Sequence, residues 1–181
     1  MARSLARRAS ARGVEGATVL EIGGGIGQVL LELVRSGASR GEIVELVPAY
    51  EEHALALARE AGAGDRVSYR TADLVADPTA RVPADVVVLN KVVCCTPDGV
   101  ELAALAASLA RRTLALSFPR DVVWSRAFFG ATNVVLRLAR RRFRVFVHPP
   151  RALAAAIESQ GLALASERDG PLFRVAAYER A

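Results

Sequence analysis

Residues 19–29 read Val-Leu-Glu-Ile-Gly-Gly-Gly-Ile-Gly-Gln-Val, an apolar run that passes directly into a cluster of glycines. Such a run, followed by glycines and then by apolar residues at helical spacing, predicts a buried strand, a tight loop and a helix. The loop does not match a dinucleotide-binding G-x-G-x-x-G motif, because Gln28 or Leu30 stands where the third glycine is needed. It also lacks the lysine of a P-loop. The stretch therefore predicts a strand–loop–helix unit and argues against both nucleotide motifs.

The composition is that of one soluble globular domain. The chain has 181 residues, of which 52% are apolar and 24% charged. We find neither a signal peptide nor an unbroken membrane-spanning run, and we expect a cytoplasmic protein. The two cysteines, Cys94 and Cys95, are adjacent, a spacing that strains a mutual disulfide and matches no zinc motif. We expect both thiols to be reduced and to lie in the core or in a pocket.

The net charge of +5 comes almost entirely from arginine, since Lys91 is the only lysine. Two groups of arginines are dense enough to face phosphates: Arg3, Arg7, Arg8 and Arg12 near the N terminus, and Arg137, Arg140, Arg141, Arg142 and Arg144 further along. The other arginines are mostly scattered, which is typical of solvated protein faces. We favour solvated faces for the two groups as well, and nucleic acid is disfavoured as a partner.

From residue 18 onward, apolar runs of strand length alternate with helical patterns, which predicts one domain over 1–181 built on a parallel α/β sheet. Residues 1–17 are predicted to form a short basic helix or arm. The predicted strands are 18–22, 42–47, 67–71, 84–89 and 113–118. The helices between them are predicted at 26–36, 49–61 and 99–111.

The last third of the chain departs from this alternation. Residues 119–148 form an apolar, Arg-rich insertion, within which 122–143 is predicted to be a long helix or a helix-turn-helix. A helix at 151–160 and two strands, at 162–168 and 172–179, are predicted to follow. Because only Asp169, Gly170 and Pro171 connect these strands, they must be antiparallel neighbours. The sheet is therefore predicted to end in a hairpin.

The pattern Glu21-x-Gly23-x-Gly25-x-Gly27 resembles the first motif of class I S-adenosylmethionine-dependent methyltransferases. The resemblance covers 18–118 and, through the terminal hairpin, the architecture. It implies a three-layer α/β/α Rossmann-like fold, with a mostly parallel seven-stranded sheet and one antiparallel strand. It also implies S-adenosyl-L-methionine as cofactor and S-adenosyl-L-homocysteine as product, with the glycine backbone against the methionine portion. A Cβ on that loop would keep the backbone away from the ligand.

Three further segments stand where this family contacts the adenosine. Glu45 ends the second strand roughly 20 residues beyond the glycines, where one carboxylate binds both ribose hydroxyls, and Leu46 follows it. Asp73, after the third strand, resembles the residue that accepts a hydrogen bond from adenine, with Leu74 beside the ring. Asn90 reaches the carboxyl edge of the fourth strand, where open α/β sheets bind ligands. No metal ion is required.

Two residues are candidates for catalysis on the acceptor side. His148, in Val-His-Pro-Pro, is the better candidate for a base that removes a proton from a hydroxyl acceptor; a surface or capping histidine is the alternative. Lys91 follows Asn90 and either orients an anionic group, lowers the pKa of a phenol, or forms a surface salt bridge. The chain lacks N-P-P-Y after the fourth strand, which disfavours an adenine or cytosine amino group as acceptor.

The insertion has four interpretations: a lid over an apolar substrate, a homodimer surface, contact of 122–144 with a membrane surface, or plain packing on the sheet. The order of fifth strand, apolar insertion and Pro-bounded helix resembles the order in small-molecule O-methyltransferases of the magnesium-protoporphyrin type.

Together these features predict in-line methyl transfer to a small apolar or aromatic molecule, with oxygen as the favoured acceptor atom. An RNA methyltransferase is the first alternative, because of the arginine clusters. A non-catalytic domain that binds the cofactor as a scaffold or sensor is the second.

Overall fold

A seven-stranded sheet organises residues 2–11 and 13–180, the part of the chain that the computed structural model describes. Arg12, a member of the predicted N-terminal arginine cluster, lies outside the described residues. The strands are β1 (Thr18–Ile22), β2 (Arg40–Glu45), β3 (Val67–Thr71), β4 (Ala84–Asn90), β5 (Ala110–Pro119), β6 (Leu162–Asp169) and β7 (Phe173–Arg180). Their order across the sheet is β3-β2-β1-β4-β5-β7-β6. Because β7 is antiparallel to both β5 and β6, the predicted terminal hairpin is confirmed.

Helices cover both faces of the sheet. They are α1 (Ala2–Ala9), α2 (Gln28–Arg35), α3 (Glu51–Glu60), α4 (Gly99–Leu109), α5 (Val123–Leu138) and α6 (Pro150–Glu158). α1, α2 and α3 contribute to the apolar core on one face, and α4 and α6 to the core on the other. The predicted three-layer α/β/α architecture is therefore confirmed. Among the described residues, we find no helix with the length and apolar character needed to cross a bilayer.

The central strand β4 explains why the sequence carries a continuous apolar run there. Val87 and Leu89 are buried in the core under α4, whereas Val86 and Val88 are buried in the core under α2. A parallel strand covered on both faces needs apolar residues at every position rather than at alternate ones. Full burial of each such side chain contributes about 1.5–3 kcal/mol, so the centre of the sheet is strongly specified.

The strand order reverses at β1, which pairs in parallel with β2 on one side and with β4 on the other. The connections that leave β1 and β4 therefore lead to opposite faces of the sheet. In open α/β sheets this divergence creates a crevice at the carboxyl ends of the strands. The glycine loop after β1 and the segment 91–98 after β4 both lie at this crevice.

The insertion contains one helix rather than the predicted helix through 143 or a helix-turn-helix. α5 ends at Leu138, and Arg140 adopts a left-handed conformation with φ +54°. The Arg141 amide then donates a hydrogen bond to the Leu136 carbonyl at 2.8 Å, a closure typical of helix C termini. Glycine usually occupies the left-handed position. Because arginine stands there instead, the sequence carries no stop signal.

Several other predicted boundaries differ from the structure by one to three residues. α4 ends at Leu109 rather than at 111, because Ala110 already pairs with Ala84 as the first residue of β5. The second strand covers 40–45 rather than 42–47, although Glu45 still ends it. The predicted basic N-terminal segment forms α1, which buries Leu5 and packs against α2.

Candidate functional site

A cavity of about 350 Å³ opens at the carboxyl edge of the sheet. Its walls come from the ends of β1 and β2, the turn after β3 and the segment 91–98. Six of the predicted site residues line it: Gly23, Glu45, Leu46, Asp73, Leu74 and Lys91. Five do not: Glu21, Gly25, Gly27, Asn90 and His148. A larger groove, of about 750 Å³, lies at the amino ends of the strands, the edge where open α/β sheets do not bind ligands.

The three predicted glycines of the loop meet different surroundings, although all have positive φ. A Cβ on Gly23 would come within 2.7 Å of the Val92 side chain, and one on Gly27 would clash with Ile43. These two glycines therefore permit close packing within the protein. A Cβ on Gly25 would meet no atom within 4 Å, although φ is +55°. Gly25 is thus the glycine whose backbone faces open space.

Glu21 holds the glycine loop from inside the core. Its side chain is 1% exposed, and Oε2 accepts a hydrogen bond from the Leu30 amide at 2.9 Å. This bond connects the end of β1 to the first turn of α2. Burial raises the pKa of Glu21 to about 8, and the charge of Glu45 acts in the same direction. Glu21 is therefore a neutral acid at pH 7, and a direct contact with a ligand remains a prediction.

We predict that Glu21→Gln weakens the pH dependence of stability. Between about pH 4.5 and 8 the unfolded chain has lost the Glu21 proton while the folded chain retains it, so the free energy of unfolding falls as pH rises. Glutamine cannot ionise, yet its carbonyl can accept the Leu30 hydrogen bond. Urea denaturation at both ends of this pH range measures how far the free energy of unfolding falls in each protein. The fall should be smaller in the variant by on the order of 2–4 kcal/mol. Equal decreases in both proteins would disprove a neutral Glu21.

Glu45 holds the same loop from the outside. Its Oε2 accepts the Gly25 amide at 3.0 Å, and its Oε1 accepts the Leu46 and Val47 amides at 2.8 and 3.3 Å, so three acceptor positions are occupied. A carboxylate offers about four acceptor positions, so capacity for a ligand hydroxyl remains. The carboxylate that lines the cavity therefore also fixes the backbone of the glycine loop.

Asp73 and Leu74 form the side of the cavity after β3. The Oδ1 atom of Asp73 accepts the amides of Val75 and Ala76, at 2.9 and 3.1 Å. None of the described residues donates a hydrogen bond to Oδ2, which leaves this oxygen as an acceptor for a ligand. Leu74 is buried, whereas Leu46 is an exposed leucine at the rim. A planar apolar group would thus find leucines close to a fixed carboxylate.

Asn90 and Lys91 form the end of β4. Asn90 Oδ1 accepts the Ser117 hydroxyl at 3.0 Å, and Ser117 Oγ in turn accepts the Lys91 amide at 2.9 Å. Lys91 has φ +62°, a left-handed conformation that is uncommon outside glycine. Its Nζ lies 5.6 Å from the centre of the Phe173 ring, within cation–π distance. Asn90 therefore ties β4 to β5, while Lys91 places a cation at the cavity.

His148 supports the segment after β4 instead of lining the cavity. Its Nε2 lies 2.9 Å from the Val93 carbonyl oxygen and 3.1 Å from that of Thr96. Two acceptors at one ring nitrogen require that this nitrogen carries a hydrogen. His148 is only 9% exposed, so its contacts are those of a positioning residue. That His148 acts as a base stays a prediction, and its contacts with the two carbonyls do not favour that role.

The end of the insertion, residues 145–148, packs as a strap on the same segment. The Phe146 amide donates to the Cys94 carbonyl at 2.8 Å. The Asn133 side chain holds the strap to α5: it donates to the Val145 carbonyl and accepts the Val145 amide, both at 2.8 Å. The insertion therefore braces the segment that forms one side of the cavity.

Sequence reasoning missed three lining residues of this segment, Val92, Thr96 and Asp98, and placed Cys95 only in the core or in a pocket. They match no spacing motif, so only the fold reveals them. Both cysteines are free, and both thiols donate to the Lys91 carbonyl. Cys94 is buried and Cys95 lines the cavity, in agreement with the expectation of core or pocket thiols. The neighbouring Cys95 thiol and burial both raise the pKa of Cys94.

Neither a protein-family model nor a curated protein matches the sequence. Solved structures do match it. The magnesium protoporphyrin IX methyltransferase of Synechocystis, solved with bound SAH, has a TM-score of 0.77 and 20% identity over 99% of this chain and 81% of its own. An O-methyltransferase family protein from Burkholderia thailandensis has a TM-score of 0.78 and 22% identity over 100% of this chain and 55% of its own.

These likenesses show the fold: the chain has the fold of class I S-adenosylmethionine-dependent methyltransferases. The cyclase SpnF is also similar, with a TM-score of 0.72 and 13% identity over 98% of this chain and 80% of its own. Since a protein named as a cyclase has this fold too, the activity has to be argued from the site.

Proposed function

We propose that this chain binds S-adenosylmethionine and transfers its methyl group to a small apolar or aromatic acceptor, with oxygen as the favoured acceptor atom. The observation that carries the proposal is the open space at Gly25, whose amide binds Glu45, together with the cavity that Glu45 and Asp73 both line. Gly25 follows β1, Glu45 ends β2 and Asp73 follows β3. A nucleoside with an attached amino acid requires groups at the ends of different strands in this way. The product would be S-adenosylhomocysteine.

The residues present fit this cofactor. Glu45 offers carboxylate acceptors for the ribose hydroxyls, and the Oδ2 atom of Asp73 is available to the adenine amino group. Leu46 and Leu74 provide apolar surface for the ring. The backbone at Gly25 allows the methionine portion to approach without a steric barrier. Glu21 and Asn90 support this arrangement by holding the glycine loop and β4 in place.

When bound, S-adenosylmethionine supplies a methyl group already activated by the sulfonium, so the residues of this chain need mainly to position the acceptor and exclude water. The segment 91–98 is suited to that task. Lys91 places a cation at the cavity, which orients an anionic group or favours the ionised form of a phenol. Asp98 belongs to the same segment and lines the cavity, where its carboxylate can accept a proton. The contacts of His148 keep the segment in place.

We predict that Glu45→Ala lowers the affinity for S-adenosylmethionine by about 1–3 kcal/mol, because it leaves the ribose hydroxyls unpaired and releases the Gly25 amide. Isothermal titration calorimetry measures the loss. The matched control is Glu42→Ala on the same strand, which removes an ion pair with Arg70 but lies outside the cavity. Equal affinities of the two variants would refute the role of Glu45.

We predict that Gly25→Leu abolishes measurable cofactor binding while the domain remains folded. The side chain would occupy the open space at Gly25, and the left-handed backbone costs about 1–2 kcal/mol. Gly62→Leu is a matched control: Gly62 also has positive φ and no atom within 4 Å of a Cβ, but it follows α3, away from the cavity. Similar melting temperatures with binding lost only at Gly25 are expected. Native affinity of Gly25→Leu would exclude the loop from the site.

We predict that methyl-labelled S-adenosylmethionine transfers its label to at least one member of a panel of phenols and hydroxylated polycyclic molecules. Lys91→Gln should lower kcat by about tenfold or more, since it removes the cation at the acceptor, and should leave cofactor affinity unchanged. Total RNA serves as the competing acceptor. Label in RNA would favour the alternative suggested by the arginine clusters. Cofactor binding without any transfer would favour a scaffold or sensor.

A further inference from the structure

Helix α5 has an apolar side that is exposed along the length of the helix, and within the described residues its one cation–π contact is that of Arg120 with the Trp124 ring. Of its sixteen residues, only Ser125 and Phe129 are buried. Six large apolar side chains between Val123 and Leu138 are from 48% to 86% exposed. These residues, called the α5 face below, are Val123, Trp124, Phe128, Val134, Val135 and Leu138.

The α5 face is continuous. At 3.6 residues per turn its members fall within an arc of about 140°, on the side opposite Ser125 and Phe129. A surface helix of a soluble domain normally turns polar residues outward and apolar residues inward. Here the outward side is apolar, and a contiguous exposed patch of this kind marks an interaction surface.

The charged residues within α5 and in the segment that follows it are all positive. The sequence contains no aspartate or glutamate from 122 to 157, while it contains seven arginines there: Arg126, Arg137, Arg140, Arg141, Arg142, Arg144 and Arg151. Within residues 13–180, Arg126 is the one member that forms an ion pair, with Asp121. Four consecutive members, from Arg137 to Arg142, lie at the C-terminal end of α5 and are exposed. This end of the helix therefore carries a strong uncompensated positive charge.

We propose that the α5 face and the arginines from 137 to 142 dock the protein on an anionic lipid surface. Apolar side chains enter the boundary between headgroups and acyl chains, while arginines pair with lipid phosphates. In a dimer formed through the α5 face, the same segment of the second copy would offer no acidic residue to pair with these arginines. Nucleic acid would leave the valines and Leu138 without an apolar partner. The combination of charge and apolar surface therefore fits a lipid surface best.

Docking would place the cavity close to the membrane. Phe129, on the buried side of α5, makes an edge-to-face contact with Phe173 at 5.8 Å between ring centres. The Phe173 ring also lies 5.6 Å from the Nζ atom of Lys91, a residue that lines the cavity. A membrane-dissolved acceptor would then be near its site. The docking itself does not depend on methyl transfer, and it can be tested without the cofactor.

Vesicle binding of the full chain tests the proposal, because Trp124 is the only tryptophan and belongs to the α5 face. Vesicles of equimolar phosphatidylcholine and phosphatidylglycerol should sediment with the protein and shift the Trp124 emission to shorter wavelength. Pure phosphatidylcholine vesicles should bind at least about tenfold more weakly, and added salt should release the protein. An unshifted emission, or equal binding to both vesicles, would overturn the proposal.

Three variants separate the contributions. Arg137, Arg141 and Arg142 replaced together by Gln should bind anionic vesicles about a hundredfold more weakly, about fivefold for each arginine. The control replaces Arg40, Arg59 and Arg111 by Gln. It removes the same total charge from exposed positions outside α5 and should retain most of the binding. Val135→Gln with Leu138→Gln should weaken binding by at least about tenfold while preserving the fold, since both side chains are exposed.

Two results would identify a different occupant. If the α5 face mediates dimerisation, analytical ultracentrifugation of the free protein will show a dimer that Val135→Gln with Leu138→Gln converts to a monomer. If the arginines bind nucleic acid, RNA will bind the wild-type protein but not the triple arginine variant. Either result without lipid binding refutes the proposal.

Discussion

The hydrogen bond from the Leu30 amide to the buried carboxyl of Glu21 is the contact on which the site depends. It joins β1 to α2, and the glycine loop lies between them. Glu45 binds the same loop from the other side through the Gly25 amide. Burial keeps Glu21 neutral. Glu45 lies at the cavity, and its negative charge raises the pKa of Glu21 further. Two acids in different protonation states can thus hold one loop without repelling each other.

Much of the fold follows from local patterns in the sequence. Apolar runs of strand length, separated by helical patterns, predict a parallel sheet, and the short turn at Gly170 requires a hairpin. Once the strands are placed, the residues that end them must meet at one edge. For this reason Glu45, Asp73 and Lys91 could be assigned to one cavity from sequence alone, and all three line it. The same reasoning places Asn90 at this edge, but its side chain accepts the Ser117 hydroxyl and does not line the cavity.

The remaining features depend on contacts between distant segments, which no local pattern encodes. His148 lies in an irregular stretch, yet its ring is fixed by carbonyls at Val93 and Thr96. The glycine motif suggests one role for every glycine, but the side chains of Val92 and Ile43 give Gly23 and Gly27 a packing role. The end of α5 is set by Arg140 in a conformation that glycine usually adopts. In each case the packing of the chain decided the role.

The insertion combines two properties on opposite sides. Its inner side is tied to the domain through Phe129, the Asn133 side chain and the strap at 145–148, which together brace the segment after β4. Its outer side offers apolar and positively charged groups that contribute nothing to this bracing. The residues proposed to bind the cofactor come from the ends of β1 to β4 and not from the insertion, so a change on its outer side need not disturb the glycine loop. The outer side of the insertion and the proposed cofactor site can therefore vary separately, whereas a change on the inner side of the insertion would act on the segment 91–98.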